Sequence, residues 1–597
     1  MLAAIAAIAT ATVDVWIAAG VAELAGSGTW TTRQPSSTLL LDLVRGRFDT
    51  DLGPQASRVA FFAVLIAVVV AELIAVIVVF VLLGRHERVG DRRRSLLRRR
   101  DLGDLAGEGS LRKARQLRPK TVMTPGSTEQ GTRLLRIDGH DVWMSWEDVA
   151  LIIMGPRSNK TSAIAVPSVL SAPGLVVATS NKADLWALTR GLRGNAGPVW
   201  TFDPQQIAYA EQTWWWDPLR SIRDAPEANR VEAAARLAGH FMSTIGGTRR
   251  DPFFHAAGEQ VLTATLLAAA LSRRSIRDVI AWLQPGRRDA IKALDEVGAD
   301  IEAGDLDAAL SGADVTTKGI FQTARTATKS LTSERILRWI TPPHTWRHPP
   351  LHKPAELDPW ELLAAASAGP ATLHLLSKEG AGTAGPIVAA LVDRVLEVAE
   401  LLAQAGGGRL DPPVVAVLDE AANICPITQL PQLYSHYGSR GIQAITILQS
   451  YQQGVGVWGE QGMEALWSAA TIKLIGAGVD DHTFLQRLSG LIGDHDVEKV
   501  SMSMDRGRGT TRQFSTAREP VLPSSTLRAL SKDNAVLLAT GCRPGLGRLL
   551  PWYRERENTD IHTYADTALD ELRCAAAAAL GPGNPVNHSR QEPRDER

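Results

Sequence analysis

The stretch at residues 146–180, WEDVALIIMGPRSNKTSAIAVPSVLSAPGLVVATS, decides the fold of this chain. Two apolar runs, 149–154 and 175–180, have the length and composition of strands that are buried on both faces. Between them, a Gly-Pro turn and a Lys-Thr pair open a helical segment that ends in a Pro-Gly turn. The sequence therefore predicts the order strand, loop, helix and strand, which is the repeating unit of a parallel α/β sheet.

The loop of this unit carries residues suited to a nucleotide. Backbone N–H groups at a helix N-terminus point at an anion, and a lysine ammonium reaches the outer phosphates of a triphosphate. Lys160 is placed to be that lysine, and Thr161 is placed to hold Mg²⁺ through its hydroxyl. The rest of the predicted nucleotide-binding loop consists of Gly155, Pro156, Arg157, Ser158, Asn159 and Ser162.

The loop departs from the template Gly-x-x-x-x-Gly-Lys-Ser/Thr, because Met154 and Asn159 occupy the two glycine positions. Asparagine enters left-handed backbone conformations more readily than other residues with a side chain. Asn159 is therefore the mildest replacement for the second glycine. The alternative interpretation of the stretch is a turn at the end of a buried strand.

A second group of polar residues follows two apolar runs about 260 residues further on. The run 414–418 ends in Asp419-Glu420, which suits a site where Asp419 holds Mg²⁺ and Glu420 polarises an attacking water. The alternative is an acidic cap for the following helix. The run 442–448 ends at Gln449, which is placed either to sense a γ-phosphate or to cap the strand.

Taken together, these segments resemble the type IV secretion coupling proteins, the conjugative DNA-transfer ATPases. The sequence GPRSNKT at 155–161 is similar to the nucleotide loop of that family, although Asn159 stands where the family usually has glycine. LDEAANI at 418–424, followed by SRGI and LQS, resembles the acidic half of the family. VWTFDPQ, WWWDPL, DPFFHAAGEQVL and GIFQTARTA lie between the two halves in the family's order, so the resemblance covers about residues 55 to 550.

The resemblance implies an α/β fold, namely a RecA-like P-loop NTPase domain with an inserted all-α domain, preceded by N-terminal transmembrane helices. It implies ATP and Mg²⁺ as cofactors and a ring, expected to be a homo-hexamer, at the membrane. The implied partners are single-stranded DNA with its bound relaxase and the components of a type IV secretion channel. In such a ring an arginine from a neighbouring subunit neutralises developing charge, and Arg440 is the candidate, with a surface arginine at a helix end as the alternative.

Composition bounds the class of protein. The chain has 597 residues, enough for several domains, and its formal net charge is zero, so overall charge gives no argument for nucleic-acid binding. Its three cysteines are widely separated and odd in number, which argues against a disulfide framework or a cysteine-based zinc site. We therefore expect the bulk of the chain in a reducing cytosol.

Membrane segments are expected at the N-terminus. Residues 59–83 are apolar except for Glu72, and their nineteen Val, Ile, Leu and Phe residues contribute roughly −6 to −11 kcal/mol against about +3 for the carboxylate. For residues 1–26 the same sum is near zero, and the resemblance is what favours a first span there. Eight arginines between 85 and 100 place the remainder in the cytoplasm by the positive-inside rule, and could also contact anionic lipid or DNA phosphates. We thus expect a multi-pass protein of the cell membrane.

The expected domain organisation follows the chain in order. It comprises a first transmembrane helix (1–26), an extracytoplasmic loop (27–58), a second transmembrane helix (59–83), a basic juxtamembrane linker (84–130), the first half of the nucleotide-binding domain (131–224), an all-α insertion (225–345), the second half of the nucleotide-binding domain (346–556) and a disordered tail (557–597). The insertion is predicted from long alanine-rich amphipathic stretches without a strand pattern.

Three functions are compatible with the sequence. The first is an ATP-driven coupling protein that moves single-stranded DNA and its relaxase, or protein substrates, into a secretion channel. The second is a double-stranded DNA translocase, which the long helical insertion disfavours. The third is a non-hydrolysing membrane adaptor, motivated by Asn159 and the missing first glycine but opposed by the retention of Lys160, Thr161, Asp419 and Glu420.

Overall fold

The structure is a computed structural model that describes residues 2–30, 45, 57–75, 95–245, 251–350, 353–380, 382–505, 509–555 and 558–581. The chain divides into two compact units, residues 1–94 and 95–597. The arginines of the predicted basic segment between 85 and 94, and most of the predicted 27–58 loop, lie outside the described residues.

The described part of the first unit contains two helices, Leu2–Ser27 and Arg58–Ala75. Ala18, Ala19 and Ala22 of the first helix are fully buried in a cluster with Phe61 of the second. Such small residues allow two helices to approach closely.

Among the described residues, only Arg58–Ala75 is long and apolar enough to cross a membrane, with a mean hydropathy of 2.5. The expectation of two spans is therefore not supported. The segment 1–26 does form a helix, Leu2–Ser27, but its apolar residues are diluted by alanine and opposed by Asp14 and Glu23. Residues 76–83 of the predicted second span lie outside the described part of the chain.

The second unit is built on one large mixed sheet. Its strands, with two short ones and a hairpin outside the sheet, are β1 (Thr132–Ile137), β2 (His140–Met144), β3 (Ala150–Ile153), β4 (Leu175–Ser180), β5 (Val199–Phe202), β6 (Trp214–Trp215), β7 (Ala355–Glu356), β8 (Ala371–Leu376), β9 (Val414–Leu418), β10 (Ile442–Leu448), β11 (Ile472–Ile475), β12 (Asp494–Asp505), β13 (Gly509–Pro520), β14 (Asn534–Ala539) and β15 (Gly545–Leu549).

Eleven strands form the main sheet, in the order β2-β1-β15-β14-β11-β3-β10-β9-β4-β8-β5. From β11 to β5 every neighbouring pair is parallel, and from β11 to β2 every pair is antiparallel. The central strands β3, β4, β9 and β10 are buried at every residue. This burial on both faces explains their unbroken apolar sequences.

Helices connect and cover the strands. Outside the insertion they are Gly107–Leu117, Val166–Ser171, Asp184–Ala196, Arg220–Arg223, Pro359–Ala368, Gly385–Ala405, Ala421–Ile424, Leu430–Arg440, Tyr451–Ala469, His482–Ile492, Ser524–Arg528 and Asn558–Leu580. A π-helical turn, Thr161–Ala165, begins within the last residues of the predicted nucleotide loop. Turns of this type occur frequently at functional sites.

In the predicted insertion, 225–345, the described residues form helices and no strand. Its helices are Arg230–Met242, Pro252–Leu271, Ile276–Trp282, Asp289–Glu296, Asp300–Ser311, Asp314–Ala327 and Glu334–Ile340. The short strands β6 and β7 pair in parallel on either side of it, with Trp214 opposite Ala355. The exact domain boundaries stay predictions.

A buried ionic cluster ties the insertion to the sheet domain. Arg236 of the first insertion helix donates two hydrogen bonds to Asp393 of helix Gly385–Ala405, at 2.5 and 2.7 Å, and His240 lies 2.9 Å from the same carboxylate. Burial alone would raise the pKa of Asp393, but these two partners hold it well below its usual range. The carboxylate thus remains charged, and removing Arg236 would leave this buried charge with His240 as its remaining partner in the cluster, which is destabilising.

The basic, polar sequence DRGRGTTRQFSTAR at 505–518 predicts either a DNA-channel loop or a solvated hairpin, and its described residues belong to a hairpin. β12 and β13 pair antiparallel from Asp494 opposite Pro520 to Asp505 opposite Gly509, and residues 506–508 lie outside the described part. A role in DNA contact stays a prediction.

The expectation of a disordered tail over 557–597 is wrong for residues 558–581, while 582–597 lie outside the described residues. Helix Asn558–Leu580 packs against helix Asp184–Ala196, with Ile561, Ala565 and Ala568 buried. Alanine has a high helix propensity, and the apolar residues on one face of this helix are buried against the neighbouring helix.

Candidate functional site

The predicted site residues come together where the central strands end. The loop that follows β3 begins with Met154 and Gly155, whose N–H groups donate to Leu448 O at 3.0 Å and to Ala477 O at 2.9 Å. These bonds fix the start of the loop to the ends of β10 and β11. Gly155 is required there by close approach, since a Cβ at this position would lie 2.1 Å from Gly478 O.

The loop turns sharply before the lysine. Arg157 and Asn159 both adopt left-handed backbone conformations, with φ of 59° and 67°. Ser158 is buried between them and donates its hydroxyl to Gly155 O at 2.5 Å. Asn159 therefore adopts the left-handed backbone conformation at the position where the template has its second glycine.

Lys160 and Glu420 form a buried ion pair across the site. The lysine side chain is 11% exposed and the glutamate 5%, and Lys160 Nζ contacts Glu420 Oε1. Glu420 is itself left-handed, with φ of 55°, and its second carboxylate oxygen accepts from Gln449 Nε2 at 2.8 Å. The three residues predicted from separate strand ends thus share one contact network.

Thr161 and Asp419 lie beside this pair. The Thr161 hydroxyl donates to Asp419 Oδ2 at 3.1 Å, and the Thr179 hydroxyl at the end of β4 donates to Asp419 O at 3.0 Å. Burial raises the pKa of Asp419 to about 6, against the opposing charge of Lys160. A hydroxyl and a carboxylate oxygen at this separation are ligands that Mg²⁺ accepts, so the residues present fit the expected ion.

The sequence interpretation missed three polar residues that extend the network. Gln453 accepts from the Gln449 N–H at 2.9 Å and donates to Asn423 Oδ1 at 2.8 Å. Thr179 closes the other side of the network. Asn423 and Gln453 sit three residues beyond Glu420 and four beyond Gln449, and this helical spacing was the available signal.

Arg440 lies away from the other site residues. It is the last residue of helix Leu430–Arg440, just before β10, whereas Gln449 follows the other end of that strand. Its Nε is 4.0 Å from Glu400 Oε1, and its side chain is 32% exposed. A role for Arg440 in hydrolysis within its own subunit is therefore excluded by position, and a role in a neighbouring subunit stays a prediction.

The three consecutive tryptophans belong to the core. Trp214, Trp215 and Trp216 are 2%, 7% and 3% exposed. Trp214 packs edge-to-face on Trp339 at 5.4 Å between ring centroids. These rings pack inside the protein and are therefore unavailable for stacking on nucleic-acid bases.

Two protein-family models match the chain. The model described as Type IV secretory system Conjugative DNA transfer matches residues 98–310, and the model described as TraM recognition site of TraD and TraG matches residues 413–532. The first match contains the nucleotide loop and most of the helical region 225–345, the second contains the acidic strand end at 419–420, and together they cover more than half of the sequence.

Curated relatives include Protein VirD4 of Agrobacterium fabrum and Protein VirD4 of Rhizobium rhizogenes. Each is 21% identical over 412 residues, which is 68% of this chain and 59% of the relative. The match therefore spans less than two thirds of the length of these relatives.

Solved structures of the bacterial conjugative coupling protein TrwB share the fold. Its unbound monoclinic form gives a TM-score of 0.50 at 16% identity, covering 74% of this chain and 91% of TrwB. Its trigonal form in complex with sulphate gives 0.51 at 16% identity, covering 73% and 92%. The mixed sheet with its many helices is thus a TrwB-like α/β fold, and with both family models matched in order, the chain belongs to the type IV secretion coupling proteins, the family of conjugative DNA transfer.

Proposed function

We propose that this chain is an ATPase with a RecA-like P-loop core that drives single-stranded DNA with its bound relaxase, or protein substrates, into a type IV secretion channel. The observation that carries the proposal is the meeting of Lys160 with Glu420, and of Thr161 with Asp419, across about 260 residues of sequence. These pairs hold in one place the cation, the hydroxyl and the two carboxylates that nucleotide hydrolysis requires. TrwB, which shares the fold, has been solved in complex with the ATP analogue ADPNP.

In this proposal each of the site residues has a chemical role. Lys160 is neutralised by Glu420, and an arriving triphosphate offers the ammonium a stronger partner than one carboxylate. When Lys160 moves to the phosphates, Glu420 is released to accept a proton from the attacking water, with Gln449 still holding its other oxygen. Thr161 and Asp419 would hold Mg²⁺, which neutralises phosphate charge when bound.

The assembly is also part of the proposal. Helix Arg58–Ala75 would anchor the chain in the cell membrane with the 95–597 unit in the cytoplasm, and helix Leu2–Ser27 would accompany it through its alanine face. Hydrolysis in a homo-hexameric ring would let neighbouring subunits complete each site. The relaxase, the DNA and the channel components are the proposed partners.

ATP hydrolysis by the full chain in detergent, with and without single-stranded DNA, tests the proposal. We expect Lys160→Ala to weaken ATP binding roughly 10- to 100-fold, because a charge-assisted hydrogen bond contributes about 1.5–3 kcal/mol. We expect Glu420→Gln to keep binding and to lower turnover about 10² to 10⁴-fold through loss of the general base.

Arg273→Gly, at a left-handed helix end in the insertion, is the control and should change neither quantity. DNA-stimulated hydrolysis that survives both site variants would refute the assignment. Binding without turnover in the wild-type chain would favour the adaptor, and a requirement for duplex DNA would favour the double-stranded translocase.

A further inference from the structure

The side chain of Asn159 makes hydrogen bonds to residues outside the nucleotide loop. Its amide nitrogen donates to Lys532 O at 3.1 Å and lies 3.3 Å from Asp533 Oδ1. Its amide oxygen accepts from the Tyr553 hydroxyl at 3.3 Å. The amide thus bonds to two segments that are distant in sequence, and a glycine at this position would make none of these bonds.

Both anchoring segments belong to the antiparallel part of the sheet. Lys532 and Asp533 directly precede β14, and Tyr553 follows β15 in a short 3-10 turn, Trp552–Arg554. Asp533 Oδ2 is paired with Arg554 Nη1 at 3.1 Å. The two anchors are therefore held to each other as well as to Asn159, and the carboxylate is neutralised before a phosphate arrives.

The anchors compensate for an unfavourable backbone. A left-handed conformation is disfavoured for every residue with a Cβ, and asparagine only lessens the penalty. Asn159 nevertheless holds φ of 67° directly before Lys160. Its backbone carbonyl oxygen accepts a hydrogen bond from the Ala163 N–H at 2.7 Å, where the helix begins. The loop shape is thus imposed by contacts, where a glycine loop would rely on conformational freedom.

We propose that Asn159 is a positioning residue: its side-chain bonds to the 532–533 segment and to Tyr553 hold the loop in the shape that presents Lys160 to a triphosphate. The inference rests on the proposed nucleotide-binding function of this loop. At the position where the family usually has glycine, Asn159 thus orders the loop through its side-chain hydrogen bonds. A loop that is ordered in advance loses less entropy when the ligand binds.

The test is a double-mutant cycle on binding of the ATP analogue ADPNP with Mg²⁺ to the full chain. We expect Asn159→Gly to raise Kd about fivefold to tenfold, and Tyr553→Phe, which removes one hydroxyl, to raise it about twofold to fivefold. Because the Tyr553 hydroxyl acts through Asn159, the double variant should bind no more weakly than Asn159→Gly alone. In turnover, KM should rise while kcat stays within about twofold, since the loop acts on binding.

The controls separate this inference from the function on which it rests. Arg273→Gly relieves a left-handed residue far from the loop, with φ of 53°, and should leave Kd unchanged. Independent, multiplying effects of Asn159→Gly and Tyr553→Phe, or tighter binding by Asn159→Gly, would overturn the positioning role while Lys160→Ala still weakens binding. If Lys160→Ala leaves binding intact, it is the nucleotide function of the loop that fails.

Discussion

His374 is a fully buried histidine in the middle of β8. Its Nε2 lies 3.3 Å from the Thr189 hydroxyl, which itself donates to Leu185 O at 2.7 Å, so the ring nitrogen is the donor of the pair. Burial, together with the charges of Arg193 and Arg190, lowers the pKa of His374 to about 3. In the unfolded chain its pKa returns to about 6.5.

This difference predicts a pH dependence of stability. The unfolded chain binds a proton at His374 below pH 6.5 and the folded chain does not, so the contribution is fully present above pH 6.5 and is lost as the pH falls toward 3. We expect wild-type stability to fall by up to about 1.4 kcal/mol per pH unit more steeply than that of His374→Leu between pH 6 and 4. Urea unfolding of both proteins at each pH measures the difference, and parallel curves would contradict it.

At the residue scale, the sequence predicted residues that the structure brings together, but only part of their contacts. Lys160, Thr161, Asp419 and Glu420 were predictable because each follows an apolar run, and such runs mark strands whose ends face one edge of a parallel sheet. The Tyr553 and Asp533 partners of Asn159 were not predictable. They lie more than 370 residues away in segments with no motif, and only the antiparallel strands β14 and β15 bring them near.

At the element scale, the buried central strands were the most predictable features. β9 and β10 have the bounds of the apolar runs 414–418 and 442–448, because burial on both faces leaves no polar residue to obscure the pattern. Helix Asn558–Leu580 was missed because its sequence is polar and alanine-rich, and its order depends on the neighbouring helix Asp184–Ala196.

A matched pair of glycines tests how that C-terminal helix is held. A Cβ on Gly191 would lie 2.6 Å from the Tyr564 ring, whereas one on Gly194 would meet only Val199, at 4.0 Å. Both glycines are in helix Asp184–Ala196, so each gains up to about 1 kcal/mol in helix propensity on replacement by alanine. We expect Gly194→Ala to stabilise the protein and Gly191→Ala to displace Tyr564.

Hydrogen exchange of the backbone amides in 558–580 is the measurement. Protection should fall about 5- to 150-fold in Gly191→Ala, because overpacking of a tight contact costs about 1–3 kcal/mol, and should be retained in Gly194→Ala. Equal protection in the two variants would show that the helix tolerates the added methyl group and is not held by this close contact.

At the scale of the whole molecule, the sheet sets Arg440 apart from the nucleotide site of its own subunit. Gly441 and the seven residues of β10 separate it from Gln449, and the strand alone spans about 23 Å at about 3.3 Å per residue. If Arg440 acts in hydrolysis, it therefore acts on a neighbouring subunit of the proposed ring. Arg440→Ala alone should then lower turnover about 10³-fold, as loss of an arginine finger does, with ATP binding preserved.

Mixing two inactive proteins distinguishes this role from a structural one. A site formed by Lys160 of an Arg440→Ala subunit and Arg440 of a Lys160→Ala subunit contains both groups. Random co-assembly at equal amounts makes about a quarter of the sites complete, so the mixture should recover up to about a quarter of wild-type hydrolysis while each variant alone stays inactive. No recovery in a mixture shown to co-assemble, or full activity of Arg440→Ala alone, would remove Arg440 from the reaction and direct the search to an arginine at another face of the subunit.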